Sequence, residues 1–103
     1  MITATEPFDP AELLRSPKEV QVYLADMLAH GDAGMIAAAL GVAARAHGMT
    51  DLAKATGVPR ATLYRALSAD GNPTLALVLK VLDGLGLGLT IAAKPESTED
   101  LIG

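Results

Sequence analysis

The stretch that decides the fold is Met49-Thr-Asp-Leu-Ala-Lys-Ala-Thr-Gly-Val-Pro-Arg-Ala-Thr-Leu-Tyr-Arg-Ala-Leu67. It predicts two short helices joined by a tight turn. Thr50 is expected to cap the first helix, and Gly57 to adopt the left-handed conformation that ends it. Pro59 fits the first turn of the second helix, where a missing N–H has no energetic cost. This order of signals predicts a helix-turn-helix, with apolar side chains of both helices in a common core.

The second helix of such a motif enters the major groove of DNA, so its exposed face is the candidate binding site. Arginine can pair bidentately with guanine, whereas Thr, Tyr and Asn suit phosphate oxygens. Ala61 lies on the same face but offers no hydrogen bond to a base. Thr50 and Asn72 are expected near phosphates. The predicted DNA-binding residues are Thr50, Arg60, Ala61, Thr62, Tyr64, Arg65 and Asn72.

Three further helices are predicted from caps and apolar spacing. Ser16 precedes Pro17 and Glu19 as a helix start, and Gly31 ends that helix. Asp32 is expected to cap an alanine-rich helix that runs to about residue 46. Thr74 is expected to cap a final helix through residue 85. The fold class is therefore all-α, a bundle of five helices in which the fourth is the recognition helix.

The C-terminal part carries more apolar residues than one core can use. In the last helix, Leu75, Val78, Leu79, Leu82 and Leu85 are expected to form the core stripe. Residues 87–93 have the composition of a short β-strand with alternating apolar positions. A lone strand has unpaired backbone groups, which a second copy could satisfy across a two-fold axis. The predicted homodimer interface is Leu77, Val81, Leu87, Leu89 and Ile91. The alternatives are a strand that folds back on its own helices, or one that pairs with a partner's sheet.

Composition sets the limits of function. The 103 residues are 50% hydrophobic and only 3% aromatic, which suits one domain of closely packed helices. The net charge is −4, yet residues 50–72 carry three basic and two acidic residues and form the only positive segment. An acidic protein with one weakly basic face can bind DNA locally and a basic protein elsewhere. The predicted organisation is a flexible segment 1–15, the helix-turn-helix domain with its strand at 16–93, and a flexible acidic tail 94–103.

Several functional classes are excluded on the same grounds. The sequence has no nucleophile motif, no cluster of metal ligands and no glycine-rich phosphate loop, so no enzyme, metal or cofactor is expected. There are no cysteines, and His30 and His47 each precede a glycine at a predicted helix end. No apolar stretch of about 18 residues and no basic leader is present, which predicts a cytoplasmic protein without membrane contact.

Three pieces of the chain resemble a known family in their order and spacing. They are Phe8-Asp9-Pro-Ala-Glu12, Met35-Ile-Ala-Ala-Ala-Leu-Gly-Val-Ala-Ala-Arg-Ala-His-Gly-Met49 and Gly71-Asn-Pro-Thr-Leu-Ala-Leu-Val-Leu-Lys-Val-Leu-Asp-Gly-Leu-Gly86. With the helix-turn-helix, they resemble the Xre/Cro type, and within it the addiction-module antidotes, antitoxins of the HigA kind. The resemblance implies a phage-repressor-like fold and a type II toxin-antitoxin module. It also implies that the protein neutralises a RelE/ParE-like toxin and represses its own operon.

Some residues depart from the wider pattern and leave other functions open. Asp51 stands where glutamine is common and would repel phosphate, and Pro59 replaces the usual Ser or Thr cap. Phe8, the lone phenylalanine, is either an anchor for the toxin or packs against its own domain. The alternatives are a solitary helix-turn-helix regulator, or a helical protein-interaction domain that has lost DNA binding.

Overall fold

The computed structural model describes residues 9–94, and this part of the chain is all-helical. Five α-helices are present, as the sequence predicts, and a short 3-10 turn that was not predicted, Pro10–Leu13, precedes them. The helices are α1 (Pro17–His30), α2 (Ala33–His47), α3 (Met49–Thr56), α4 (Arg60–Ala66) and α5 (Leu75–Gly84). None of the helices in residues 9–94 is long and apolar enough to cross a membrane.

Three of the predicted caps are confirmed. The side chains of Ser16, Asp32 and Thr74 each accept a hydrogen bond from the amide three residues further on, at 3.2, 2.8 and 3.1 Å. Each bond satisfies one of the amides that a helix start leaves without an intrahelical partner. The starts of α1, α2 and α5 are therefore fixed by local sequence.

The predicted cap at Thr50 is wrong. The helix α3 begins at Met49, and Gly48 occupies the capping position with a φ of 113° and no side-chain bond. Only a short break at Gly48 separates α2 from α3, because glycine tolerates this conformation. Thr50 consequently lies within the first turn of α3 and is exposed. Pro59 precedes α4 as its capping residue rather than standing inside it.

The core is centred on α2, which contacts α1, α3 and α4. Its buried positions are mostly small: Ala37, Ala39, Leu40, Gly41, Val42, Ala43 and Ala44. At Gly41 the packing is closest, because a Cβ atom there would lie 2.1 Å from the carbonyl oxygen of Leu67. The small side chains of α2 thus let its backbone approach the end of α4 directly.

The predicted core stripe of α5 is confirmed in part, because Leu82 is buried and Val78 and Leu85 pack against the core. Val81 is fully buried and Leu77 packs against the core, whereas Leu75 and Leu79 are 67% and 47% exposed. Two apolar stripes compete in this helix, and contact with α3 decides between them. Gly84 lies so close to α3 that a Cβ on it would be 2.8 Å from a methyl group of Leu52. This contact turns the face of Leu77 and Val81 inward, so neither residue lies on an outer face.

The predicted C-terminal strand is also wrong for the described residues. After α5, Gly86 turns the chain with a φ of 78°, and the Leu87 amide donates to the Leu82 carbonyl at 2.8 Å. Leu87 packs partly against the core, but residues 88–94 have no regular structure. Ile91 is 98% exposed. Strand composition alone cannot make a strand where no neighbouring strand within residues 9–94 offers backbone partners.

Candidate nucleic-acid interface

The connection between α3 and α4 is fixed by its own hydrogen bonds. Gly57 is left-handed, with φ 74° and ψ 12°, and its amide donates to the Ala53 carbonyl at 2.9 Å. The Thr56 hydroxyl donates to the Leu52 carbonyl at 2.8 Å and accepts from the Val58 amide at 3.2 Å. The predicted left-handed end at Gly57 is confirmed. The two helices therefore meet at a turn with little freedom to change their angle.

Buried leucines hold both helices against the core. Leu52 of α3 and Leu63 of α4 are fully buried, and Val58 in the turn is partly buried against them. This common core agrees with the sequence analysis. Because Leu63 faces inward at the middle of α4, the opposite side of that helix faces solvent.

The exposed side of α4 brings four predicted residues together. Arg60, Ala61, Tyr64 and Arg65 are exposed, and their spacing places them on one helical face. The guanidinium of Arg60 lies 5.9 Å from the centre of the Tyr64 ring, within cation–π distance. Thr62 is only partly exposed and lies at the edge of this face. We call Arg60, Ala61, Tyr64 and Arg65 the α4 face.

Two predicted phosphate contacts lie on other elements. Thr50 is exposed in the first turn of α3, and Asn72 is exposed in the loop between α4 and α5. Asp51 is exposed beside Thr50 and adds a negative charge at the start of α3. Asp51 is expected to lower the affinity for DNA, because its negative charge opposes the attraction between the arginines and the phosphate backbone.

An ion pair at the end of α2 was not predicted from the sequence. Arg45 binds Asp9 with two hydrogen bonds, Nε to Oδ2 and Nη2 to Oδ1, both 2.9 Å long. Asp9 also accepts from the Ala11 amide at 3.0 Å and so caps the 3-10 turn. The Arg45 guanidinium, followed by the Ala11 amide, lowers the pKa of Asp9 from 3.8 to about 2. One signal could have found the pair: Arg45 is the only lysine or arginine in the alanine-rich α2.

The remaining predicted site residues divide into three groups. Leu77, Val81 and Leu87 pack within the protomer, so the outer surface predicted from them is wrong. Leu89 and Ile91 are exposed, and their role in a homodimer stays a prediction. Phe8 lies outside the described residues. Within residues 9–94, no group of three or more His, Cys, Asp or Glu residues is placed to hold a metal ion.

A family model for a probable addiction module antidote protein matches residues 4–93. The chain belongs to this family. A relative from Haemophilus influenzae, described as an uncharacterized protein, is 46% identical over 80 residues, which is 78% of this chain and 82% of the relative. No solved structure matches the chain. Membership supports a role as an antitoxin, with a toxin as its partner in general terms.

The antidote also has an apolar surface away from the α4 face. A cleft of about 1160 Å³ runs between α1 and the C-terminal segment 86–94. Its walls include Leu24, Leu28 and Leu82. The C-terminal segment on its other side contributes Leu89 and Ile91. An exposed apolar surface of this kind commonly marks an interface with a protein. The antidote therefore has two separate candidate surfaces, one for a nucleic acid and one for a protein.

Proposed function

We propose that this antidote is the DNA-binding antitoxin of a type II toxin-antitoxin module. In this proposal it neutralises a RelE/ParE-like toxin and represses its own operon, with an Xre/Cro-type helix-turn-helix as the DNA reader. The observation that carries the proposal is the α4 face, which presents Arg60 and Arg65 on a short helix fixed by a buried leucine. Family membership supports the antitoxin role. The proposed role requires neither catalysis nor a cofactor.

The α4 face suits the major groove in its chemistry. Arg60 and Arg65 can each make a bidentate contact with a guanine edge, and Tyr64 holds the Arg60 guanidinium in place before binding. Preorganisation reduces the entropy lost on binding. Thr62 at the edge of the face, Thr50 and Asn72 remain proposed phosphate contacts. Because the negative charge of Asp51 repels phosphate, a single copy of the protein is expected to bind DNA with modest affinity.

A homodimer would double this reading surface. A single helix with two arginines covers few base pairs, so useful specificity requires two copies on a pseudo-palindromic site. The structure changes which residues could form the interface. Leu75 and Leu79 form the exposed apolar pair on α5, one helical turn apart, and Leu89 and Ile91 extend the apolar surface along the C-terminal segment. We assign the dimer contact to these four residues.

The toxin would be recognised at an acidic surface. The chain has a net charge of −4, and residues 50–72 form its only segment with a net positive charge. A basic toxin would be attracted to the remaining surface, and charge complementarity accelerates such encounters. Phe8 stays a proposed toxin anchor. A pair of copurified chains would establish the partner directly.

The first experiment measures DNA binding. Fluorescence anisotropy with a duplex from the region upstream of the gene compares the wild type with the double variant Arg60→Ala/Arg65→Ala. Each lost base contact should cost about 1–3 kcal/mol of binding free energy and relax specificity at that base. Lys80→Ala, at an exposed lysine on α5, removes a charge without touching the α4 face. Equal affinity of the double variant and the wild type would exclude the α4 face as the reader.

The second experiment measures self-association. Sedimentation equilibrium should find a dimer for the full chain and weaker association for Leu75→Ser/Leu79→Ser. Met35→Ser is the control, because Met35 is an exposed apolar residue on α2. A chain truncated after Gly86 tests the C-terminal segment separately. A monomer at micromolar concentration, or a truncated chain that remains a tight dimer, would refute the assigned contact.

A protein-interaction domain without DNA binding is the second candidate function. The exposed Asp51 at the start of α3 and the net negative charge favour it. This candidate predicts a toxin complex with no affinity for the upstream duplex. A solitary regulator predicts the reverse, namely operator binding with no small basic protein encoded in the adjacent reading frame.

A further inference from the structure

The Asp9–Arg45 pair differs from every other side-chain hydrogen bond within residues 9–94. Its partners are 36 residues apart, whereas the other side-chain bonds join residues at most four positions apart. The pair supplies the side-chain hydrogen bonds that join Asp9, the cap of the 3-10 turn, to α2. Both side chains are partly open to water, with 33% of Arg45 and 40% of Asp9 exposed. Because both side chains are in contact with water, another charged group can reach them.

The position of Arg45 connects this pair to α4. Arg45 lies in the last turn of α2, immediately before α3 begins. Its third nitrogen, Nη1, is not used by Asp9 and lies 3.5 Å from the place where a Cβ of Gly41 would be. That place is in direct contact with the Leu67 carbonyl at the end of α4. The guanidinium therefore lies at the seam between α2 and α4.

Tyr64 on α4 contributes weakly to the electrostatics of the same guanidinium. The pKa of Arg45 is raised above its ordinary value mainly by the hydrogen bond with Asp9, and the phenol of Tyr64 adds a smaller contribution. The guanidinium of Arg60 lies over the ring of Tyr64. The Asp9–Arg45 pair therefore lies beside Leu67 at the end of α4, about one helical turn beyond Tyr64.

We infer that Arg45 is a further phosphate-binding residue for duplex DNA, and that the Asp9 carboxylate occupies it in the free protein. The fork of an arginine fits carboxylate and phosphate oxygens with the same geometry. When a phosphate of the DNA backbone approaches the α4 face, it competes with Asp9 for Nε and Nη2. This inference rests on the proposed function, because it requires that the α4 face meets DNA.

Separating Asp9 from Arg45 is expected to cost little free energy. The 3-10 turn that follows Asp9 contacts α2 but has no fully buried residue, so little packing is lost when the turn moves away. Arg45 stays anchored because the rest of α2 is buried in the core. The exchange replaces one ion pair with another and adds one basic residue to the DNA-binding surface.

The test compares Asp9→Asn with the wild type on two duplexes, one from the upstream region and one of unrelated sequence and equal length. Asp9→Asn frees Arg45, so affinity for both duplexes should rise about fivefold, the amount expected for removal of an exposed ionic competitor. The slope of log affinity against log salt should be similar for the wild type and Asp9→Asn, because both make the Arg45 contact, and shallower by about 0.9, the value for one phosphate contact, when Arg45 is also replaced. Thermal unfolding followed by circular dichroism checks that each variant is folded.

Two control variants separate this effect from a general change of charge. Glu12→Gln removes the same charge from the same turn, and no hydrogen bond of the Glu12 side chain is found within residues 9–94. It should leave the affinity within about twofold of the wild type, because a distant exposed charge is screened by salt. In Asp9→Asn/Arg45→Gln the gain should vanish, because the residue that supplies it is absent.

The possible outcomes distinguish this inference from the proposed function. If the wild type binds the upstream duplex and depends on Arg60 and Arg65, but folded Asp9→Asn binds no better, the inference alone is overturned. It is equally overturned if the gain of Asp9→Asn persists without Arg45. If neither the wild type nor Asp9→Asn binds either duplex, both the inference and the proposed DNA-binding function fail.

Discussion

The middle of the chain and its C-terminal part differ in how far the sequence determines which residues are buried. From α2 to α4, small residues, a left-handed glycine and buried leucines allow a single arrangement, and Leu52 and Leu63 lie where their spacing places them. From α5 onward, almost every position is apolar, so the pattern permits two orientations and contact with α3 chooses one. An apolar pattern is informative only where polar or small residues limit the number of ways to bury it.

The largest expected change in stability is at Gly41, in the middle region of the chain. The change Gly41→Ala would place a methyl group 2.1 Å from the Leu67 carbonyl oxygen, a backbone atom that cannot rotate away. We expect a loss of about 3 kcal/mol in the free energy of unfolding, at the upper end for overpacking. Chemical denaturation measures it.

Gly34→Ala is the matched control in the same helix. A Cβ at Gly34 would lie 3.2 Å from the Ala69 carbonyl oxygen, which a small shift can relieve. The gain in helix propensity offsets that shift, so we expect a change below about 1 kcal/mol. Equal effects of the two changes would contradict the close approach of α2 and α4.

The next effect tests the orientation of α5. Val81→Ala removes two buried methyl groups and should destabilise the protein by about 2 kcal/mol. Leu79→Ala removes a larger group from a position that is nearly half exposed, and should cost less than about 1 kcal/mol. Measurements at concentrations where the chain is monomeric keep self-association out of the comparison. If Leu79→Ala were the more destabilising of the two, Leu79 rather than Val81 would face the core, as predicted from the sequence.

A smaller effect distinguishes a real helix cap from an apparent one. Thr74 accepts the Leu77 amide, so Thr74→Ala should cost about 1 kcal/mol. Thr50 makes no capping bond and stands inside α3, so Thr50→Ala should change stability by less than about 0.5 kcal/mol. The measurement is the midpoint of denaturant unfolding for both variants. A loss at Thr50 as large as that at Thr74 would show that Thr50 caps α3 after all.

The smallest effect concerns acid and the Asp9–Arg45 pair. The pKa of Asp9 is about 2 in the folded protein and about 3.8 in its ordinary state, so the pair stabilises the fold above pH 4. As the pH falls from 4 to 2, Asp9 becomes protonated and this contribution is lost. The pair is partly exposed and therefore worth less than about 1 kcal/mol.

Urea unfolding of the wild type and Asp9→Asn at several pH values checks this prediction. The wild type should be the more stable at pH 6, and the difference should disappear near pH 2. A difference that stays constant across this range would mean that Asp9 acts through something other than its charge.

Local signals predicted most of the fold. Ser16, Asp32 and Thr74 fix three helix starts because a capping side chain acts on an amide only three residues away. Gly57 fixes the turn for the same local reason. Thr50 failed because Gly48 allows α3 to begin almost directly after α2, leaving no loop for a threonine to cap. The C-terminal strand failed because strand formation depends on a partner, which local sequence does not contain.

The candidate site was predicted in part. The exposure of Arg60, Tyr64 and Arg65 follows from helical spacing once Leu63 is assigned to the core. Arg45 and Asp9 were missed because a contact over 36 residues is a product of the fold and has no local pattern. The outer face of α5 was misassigned because burial of Val81 depends on Gly84 and Leu52, which are brought together only in three dimensions.

The scarcity of aromatic residues gives the protein a convenient optical property. The chain has no tryptophan and two tyrosines, and these two occupy contrasting places. Tyr23 packs against the core, whereas Tyr64 is exposed on α4 beneath the Arg60 guanidinium. Intrinsic tyrosine emission therefore comes from one reporter of folding and one reporter on the recognition helix. In Tyr23→Phe the remaining signal reports on α4 alone, so ligand binding there can be followed without any attached dye.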